Sequence, residues 1–118
     1  MASPFTAQLL VDGGPVLVLA GDVDRDAEPA LFAAWDEVRR LPAGRVLLDF
    51  TGVSYINSTG IAVVVGLLAR ARTEQRPLGV FGLSDHYRHV FEITRLSDFM
   101  EIYPDAETAW QASARTIE

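Results

Sequence analysis

Residues 45–73 read RVLLDFTGVSYINSTGIAVVVGLLARART and decide the fold of this 118-residue chain. The first six residues form an apolar run of strand length, which is typical of a strand in a sheet covered on both faces. Residues 51–60 join this strand to an apolar segment that predicts a helix ending near Thr73. The predicted core positions of that helix are Ile61, Val64, Val65 and Leu68. A buried strand followed directly by a helix predicts part of a parallel sheet.

Two strands and a helix are predicted on the amino-terminal side of this stretch. The strands cover residues 5–11 and 16–19, and the turn at residues 12–15 favours an antiparallel hairpin. A polar loop follows at residues 21–26 and ends at a good helix cap. A helix is predicted over about residues 27–40, because apolar side chains recur there with helical spacing: Leu31, Ala34, Trp35 and Val38.

On the carboxyl-terminal side, strands are predicted at residues 78–81 and 101–103, and helices at residues 84–93 and from Pro104 onward. Their predicted inward residues are Tyr87, Val90 and Phe91, then Ala106, Ala109 and Trp110. The order of elements predicts an α/β fold, a mostly parallel sheet of roughly four to five strands with an N-terminal antiparallel hairpin and about four helices. No linker or repeat interrupts the pattern, so residues 1–118 are expected to form one domain.

The composition excludes several classes of function. The chain has no cysteine, and all 10 basic residues are arginine, so thiolate nucleophiles, cysteine-ligated metals and lysine-dependent chemistry are impossible. A net charge of −6 argues against nucleic acid or an anionic membrane as a partner. The longest apolar run, residues 60–69, is too short to span a bilayer, and residues 1–4 lack an export signal. We therefore expect a cytoplasmic protein without membrane insertion.

Two groups of residues resemble metal sites but are incomplete. Asp22, Asp24 and Asp26 have the spacing of the first calcium ligands of an EF-hand, but alanines stand where that loop needs glycine and glutamate. They predict instead a solvated acidic loop that caps the first helix. His86 and His89 lie on one predicted helix without a third ligand nearby. Since no G-x-S-x-G motif occurs either, we expect no catalytic residue, metal or cofactor.

Residues 57–60, Asn-Ser-Thr-Gly, stand at the carboxyl edge of the predicted sheet, where open α/β sheets build their sites. Asn57 is a good helix cap, so Ser58 and Thr59 would lie in the first turn, near free N–H groups. Gly60 permits the close approach of another backbone or a ligand. Plain helix capping and a functional site are both compatible with these residues.

Residues 49–61, DFTGVSYINSTGI, resemble the motif of the STAS domain, the fold of bacterial anti-sigma-factor antagonists. That motif places hydrophobic positions and Asp-Ser-(Ser/Thr)-Gly between a strand and an apolar helix. Residues 19–24, LAGDVD, resemble the strand-loop motif of the family, and residues 82–96 resemble its third-helix segment. The resemblance covers nearly the whole chain in order.

The resemblance implies a binding switch rather than an enzyme. In the antagonists, the first serine after the aspartate is phosphorylated by a partner that is both serine kinase and anti-sigma factor, with a histidine-kinase-like ATPase fold. Here that serine is Ser58. The unphosphorylated form binds the partner and frees the sigma factor, the phosphorylated form releases the partner, and a phosphatase resets the switch. The supporting residues are expected to be Asp22, Asp24, Asn57, Thr59 and Gly60.

One departure from the motif is Asn57, since phospho-regulated antagonists usually carry aspartate there. Asparagine still caps a helix but cannot act as a carboxylate toward the Ser58 hydroxyl. Two other interpretations are a STAS subunit of another assembly, such as the cytoplasmic partner of a lipid-transport ABC ATPase, and a ligand-sensing STAS domain. The helix after Ser58 also has a second apolar face, which is either buried or kept for a partner: Ala62, Val63, Gly66 and Leu67.

Overall fold

The structure, a computed structural model, describes residues 3–11 and 13–115, so Asp12 of the predicted turn lies outside the described residues. The strands are β1 Thr6–Leu10, β2 Val16–Val23, β3 Val46–Ile56, β4 Leu78–Phe81 and β5 Glu101–Tyr103. The helices are α1 Glu28–Val38, α2 Ser58–Thr73, α3 Asp85–Ile93 and α4 Ala106–Arg115. Short 3₁₀ turns at Arg25–Ala27 and Leu96–Asp98 precede α1 and β5. The predicted order of strands and helices is confirmed.

The strands form one sheet in the order β1-β2-β3-β4-β5. β1 pairs antiparallel with β2, with Leu10 opposite Val16. The remaining neighbours pair in parallel, so the carboxyl ends of β2 to β5 meet at one edge of the sheet. The predicted fold class, a mostly parallel sheet with an N-terminal antiparallel hairpin, is confirmed. The residues that follow β2 and β3 are brought together at that edge.

β2 and β3 are both longer than the sequence predicts. β2 continues through residues 21–23, which the sequence predicts as a loop, and β3 continues to Ile56. The register between them shifts twice, and each shift places an extra residue in β3. Such bulges break the alternation of apolar and polar side chains, which is why residues 51–55 do not look like a strand in the sequence. The pairs that flank the shifts are Val18–Asp49, Ala20–Gly52, Gly21–Val53 and Asp22–Tyr55.

The main core lies on one face of the sheet, beneath α1, α2 and α3. The rings of Phe50 on β3 and Phe91 on α3 meet edge to face there, with their centroids 5.8 Å apart. The predicted inward residues of α1 are confirmed as buried: Leu31, Ala34, Trp35 and Val38. A smaller apolar cluster on the opposite face joins α4 to the sheet: Val16, Leu47, Phe81 and Ala109.

Val64 and Leu68 are buried as predicted, but the buried face of α2 is otherwise rotated from the predicted one. Val65 is 45% exposed rather than buried, and Ile61 is only half-buried. The buried residues are Gly60, Val63, Val64, Leu67, Leu68 and Ala71. The start of the helix fixes this choice, because an ideal Cβ on Gly60 would overlap the carbonyl oxygen of Val23. Since α2 is apolar nearly all round, helical spacing alone does not select its buried face.

The variant Gly60→Ala tests this contact. Its methyl group would overlap the Val23 carbonyl oxygen and lie 2.7 Å from the carbonyl carbon, and backbone atoms cannot move aside as a side chain can. We expect the free energy of unfolding, measured by urea denaturation, to fall by about 3 kcal/mol. The control is Gly66→Ala on the same helix, whose methyl group meets only the Phe32 ring at 3.3 Å. Its stability should change by less than about 1 kcal/mol, so equal losses in the two variants would contradict this role of Gly60.

Glu74, the residue that follows α2, connects this helix to α1. Its Oε1 accepts a hydrogen bond from the Trp35 indole N–H at 3.0 Å, and its Oε2 accepts one from Arg39 Nε at 2.9 Å. A second guanidinium nitrogen of Arg39 lies 2.6 Å from the same oxygen. The hydrogen bond from Arg39 is the main cause that lowers the pKa of Glu74 below its ordinary value.

The pH dependence of stability tests this ion pair. Because the pKa of Glu74 is lower in the folded chain, the pair stabilises the protein above the unfolded pKa of about 4.3, and this contribution is lost as the pH falls through the folded pKa. We expect Glu74→Gln to lose about 1 kcal/mol of stability at neutral pH. Its difference from wild type should shrink below about pH 4.3. Urea denaturation across this range is the measurement, and a difference that does not vary with pH would contradict a role for the charge.

Candidate functional site

Asn57 caps the N-terminus of α2, as predicted. Its backbone is extended, and its Oδ1 accepts a hydrogen bond from the Gly60 N–H at 2.8 Å. The same oxygen accepts a second hydrogen bond, also 2.8 Å long, from the Thr59 hydroxyl. The Asn57 N–H donates to the carbonyl of Val23 at 3.3 Å. The turn at the start of α2 is therefore fixed by its own side chains and by the end of β2.

Ser58 is the first residue of α2, and its side chain is exposed. The free N–H groups of the first turn and the helix dipole place partial positive charge beside it. Its two neighbours hold the turn through the hydrogen bonds of Asn57, so the local structure does not depend on the Ser58 hydroxyl. This hydroxyl can therefore accept a phosphoryl group without displacing a buried side chain.

A shallow depression of about 190 Å³ lies beside the residues that flank Ser58. Its lining residues are Asp24, Arg25, Asp26, Asn57 and Thr59. Asp24 also has a structural role, because its Oδ1 accepts a hydrogen bond from the Asp26 N–H at 2.9 Å and caps the 3₁₀ turn before α1. The structure thus brings Asp24 together with Asn57 and Thr59, and two carboxylates outnumber one guanidinium in this depression.

Asp22 does not line this depression. Its Oδ2 accepts a hydrogen bond from the Ser3 N–H at 3.2 Å, and its own N–H donates to the Ser3 carbonyl at 3.0 Å. The neighbouring Gly21 has a φ of +91°, which favours glycine, and its Cα lies against the Pro4 carbonyl. Asp22 therefore holds the amino-terminal segment against β2.

Tyr87 on α3 is a residue whose role at this site the sequence does not reveal. Its hydroxyl oxygen accepts a hydrogen bond from the N–H of Ile56, the last residue of β3, at 3.0 Å. The pairing of β4 with β3 ends at Asp49. Beyond that residue, the Tyr87 hydroxyl gives the carboxyl end of β3 a hydrogen-bond partner on the edge that β4 leaves open. In the sequence, Tyr87 is predicted only as an inward residue of its helix. That position indicates burial but not this hydrogen bond.

An exposed stripe continues from Ser58 along the outer side of α2. We call it the α2 stripe, and it consists of Ser58, Ala62, Val65 and Ala69, all exposed. Of the second apolar face that the sequence predicts, Val63 and Leu67 belong to the core. The α2 stripe therefore shares only Ala62 with that predicted face, and apart from Ser58 it is apolar.

The other residues weighed in the sequence lie apart from this turn. His86 and His89 are exposed on α3, and the His86 ring lies edge to face with the Tyr87 ring at 4.8 Å. Within residues 3–11 and 13–115, no group of three or more histidine, aspartate and glutamate side chains has a geometry that could hold a metal ion. In the same part of the chain, no helix is long and apolar enough to cross a membrane.

Comparison with known proteins agrees with this fold. Residues 8–102 match the family model described as "Mlab, STAS domain". The chain is 44% identical over 87 residues to the anti-sigma-B factor antagonist of Listeria monocytogenes, an alignment that covers 73% of this chain and 75% of the relative. An anti-sigma factor antagonist from Mycobacterium paratuberculosis has a similar structure, with a TM-score of 0.76, 23% identity and coverage of 97% and 99% of the two chains. For the unphosphorylated form of the antagonist SpoIIAA, the TM-score is 0.67 at 17% identity, with coverage of 95% and 98%.

The fold and the capped turn define an α/β domain whose second helix begins at the carboxyl edge of a mostly parallel sheet. The chain belongs to the STAS-domain family. The matched residues run from β1 into β5 and include the whole turn from Asn57 to Gly60. The resemblance that the sequence motifs carry is confirmed.

Substitution of Asn57 tests the cap. Asn57→Ala removes the acceptor of both the Gly60 N–H and the Thr59 hydroxyl, so we expect a loss of about 1 kcal/mol in urea denaturation. Asn57→Asp retains an oxygen acceptor and adds negative charge at a helix N-terminus, so its stability should stay within about 0.5 kcal/mol of wild type. If Asn57→Ala were as stable as Asn57→Asp, the hydrogen bonds of this side chain would not hold the turn.

Proposed function

We propose that this chain is an anti-sigma-factor antagonist that binds an anti-sigma factor while Ser58 is unphosphorylated and releases it once Ser58 carries phosphate. The observation that carries the proposal is the exposed Ser58 hydroxyl at the start of α2. The motif resemblance assigns this position to the phosphorylated serine of the antagonists. The name of the Listeria relative supports the class of partner. The description of SpoIIAA as unphosphorylated supports control by phosphate.

The proposed partner is both anti-sigma factor and serine kinase, with a histidine-kinase-like ATPase fold. In the transfer, Ser58 Oγ forms a bond to the γ-phosphorus of ATP, the bond to the bridging oxygen breaks, and ADP leaves. The hydroxyl proton goes to a base of the kinase, because the Asn57 amide cannot accept it. A phosphatase then hydrolyses the phosphoserine. This chain is a regulatory binding protein in the scheme, and its part is to present the hydroxyl.

Phosphate at Ser58 changes the surface more than it changes the fold. It adds about −1.5 to −2 charges. The helix N-terminus stabilises such a charge by about 0.3–1 kcal/mol, so the domain stays folded. In a complex, the phosphate would have to be desolvated beside Asp24 and Asp26 in a chain that already carries a net charge of −6. Desolvation of an unpaired charge costs several kcal/mol, which is enough to release a partner.

The α2 stripe is the surface that we infer the partner contacts. Its apolar members Ala62, Val65 and Ala69 are exposed, and Tyr55 near the end of β3 is 52% exposed. Interfaces are enriched in aromatic residues such as Tyr55, and the interface core is depleted of charged residues, which the α2 stripe lacks. Because Ser58 is the first residue of the stripe, a phosphate there lies at the edge of the proposed contact.

A pull-down from host lysate tests the proposal, with wild type, Ser58→Glu and Ser97→Glu as baits and mass spectrometry as the readout. Ser97 is an exposed serine on the 3₁₀ turn before β5, so Ser97→Glu is a matched control for added charge. Wild type and Ser97→Glu should retain an anti-sigma factor with a serine-kinase domain. Ser58→Glu should retain at least about tenfold less, which corresponds to 1.4 kcal/mol. An ABC ATPase retained equally by all three baits would contradict the proposal.

Phosphorylation of the purified chain tests the residue assignment separately. After incubation with the captured partner and ATP, intact mass should show a single added phosphate on wild type and on Thr59→Ala. Ser58→Ala should gain none. If Ser58→Ala gained a phosphate and Thr59→Ala did not, the modified residue would be Thr59 instead.

A further inference from the structure

An open cavity of about 570 Å³ lies at the other end of α2 from Ser58. Its apolar walls come from the last turns of α2, the start of β4 and the loop before β5: Leu68, Ala71, Pro77, Leu78 and Phe99. Small-molecule sites have about 300–1,000 Å³ and are mostly apolar with a few polar groups. The cavity has the size and lining of such a site, and it is separate from the turn at Ser58.

The end of α2 places an arginine among the residues that line this cavity. Gln75 adopts a left-handed conformation with a φ of 59°, and the N–H of Arg76 donates to the carbonyl of Ala71 at 2.8 Å. This is the backbone pattern of a Schellman motif, whose last residue normally packs an apolar side chain onto the helix. Arginine stands at that position here, and Arg76 is one of the residues that line the cavity.

Arg76 is buried without a carboxylate. It is 7% exposed, and its guanidinium donates to the carbonyls of Leu41 at 2.5 Å and Gly44 at 3.3 Å. Both acceptors are neutral, and in the described part of the chain the ion pairs within 4 Å do not include Arg76. A buried cation that is hydrogen-bonded but not neutralised by an anion is unfavourable, so an anion in the cavity would complete its environment.

Arg72 adds a second cation to the lining of the cavity. Its guanidinium lies 5.3 Å from the centroid of the Phe99 ring, and Phe99 is 53% exposed. The acidic residue of the lining, Asp98, has its own partner, because its Oδ2 accepts a hydrogen bond from Arg95 Nε at 2.8 Å. The cavity therefore has a local excess of positive charge in a chain whose net charge is −6.

We propose that this cavity binds a small amphipathic anion, a carboxylate or phosphate monoester on an aliphatic body. The headgroup binds Arg72 and Arg76, and the aliphatic body covers Leu68, Leu78 and Phe99. Arg76 lies below the surface, so its anion has to enter the cavity, which a slender ligand does more readily than a protein surface. The proposal does not depend on the anti-sigma factor as partner.

Titration of the purified chain with decanoate, decyl phosphate and decanol tests this site, with backbone amide chemical shifts as the readout. The probes are used below the concentrations at which they form micelles. At least one of the two anions should give saturable shifts centred on residues 71–78 and 98–99, and decanol should bind at least about tenfold more weakly. The anion that binds with the higher affinity, decanoate or decyl phosphate, identifies the headgroup. Shifts without saturation, shifts centred elsewhere, or equal binding of decanol would overturn the proposal.

Substitution of Arg72 tests the charge without disturbing the buried Arg76. Arg72→Gln should lower the affinity for the anion about fivefold or more, while the amide spectrum remains that of a folded protein. Arg88→Gln is the matched control, since Arg88 is also an exposed arginine on a helix, paired with Asp85 at 3.5 Å. It should bind as wild type does. Equal affinity in Arg72→Gln and Arg88→Gln would show that the cavity does not select an anion through Arg72.

Discussion

The backbone of Gly60 lies against the carbonyl of Val23, and no larger residue fits at that point. This contact joins the start of α2 to the end of β2 and so determines the rotation of the helix about its axis. Val63 and Leu67 then belong to the core, and Val65 faces outward. The position of the capped turn and the exposure of the α2 stripe both depend on this rotation of α2 on the sheet.

Charge is distributed unevenly along α2. Arg70 and Arg72 lie in its last turn, where cations complement the helix dipole, and the buried Arg76 follows. At the other end, Asp24 and Asp26 outnumber Arg25 around the depression beside Ser58. Negative charge added at the amino-terminal end is therefore not neutralised by its surroundings. At the carboxyl-terminal end it meets Arg72 and Arg76, which form no ion pair within the described residues. The two ends of one helix differ in what they can bind.

The sequence predicts the features that depend on local patterns. The order of strands and helices along the chain follows from the alternation of apolar segments, and the Asn57 cap follows from the residue type before an apolar helix. The full lengths of β2 and β3 cannot be predicted this way, because two bulges shift the alternation. The buried face of α2 and the hydrogen bond from Ile56 to Tyr87 depend on contacts between residues far apart in the chain. Such contacts leave no periodic signal.

α2 keeps the residues that build the fold separate from those that a partner can touch. The contacts of Gly60 and Val63 hold the helix in place, while Ala62 and Val65 contribute little to the core. Duplicated copies of such a domain can therefore diverge at the outer positions and acquire different partners without loss of foldability. Copies that differ at these outer positions would discriminate between partners, because specificity is a difference in affinity that surface substitutions can change.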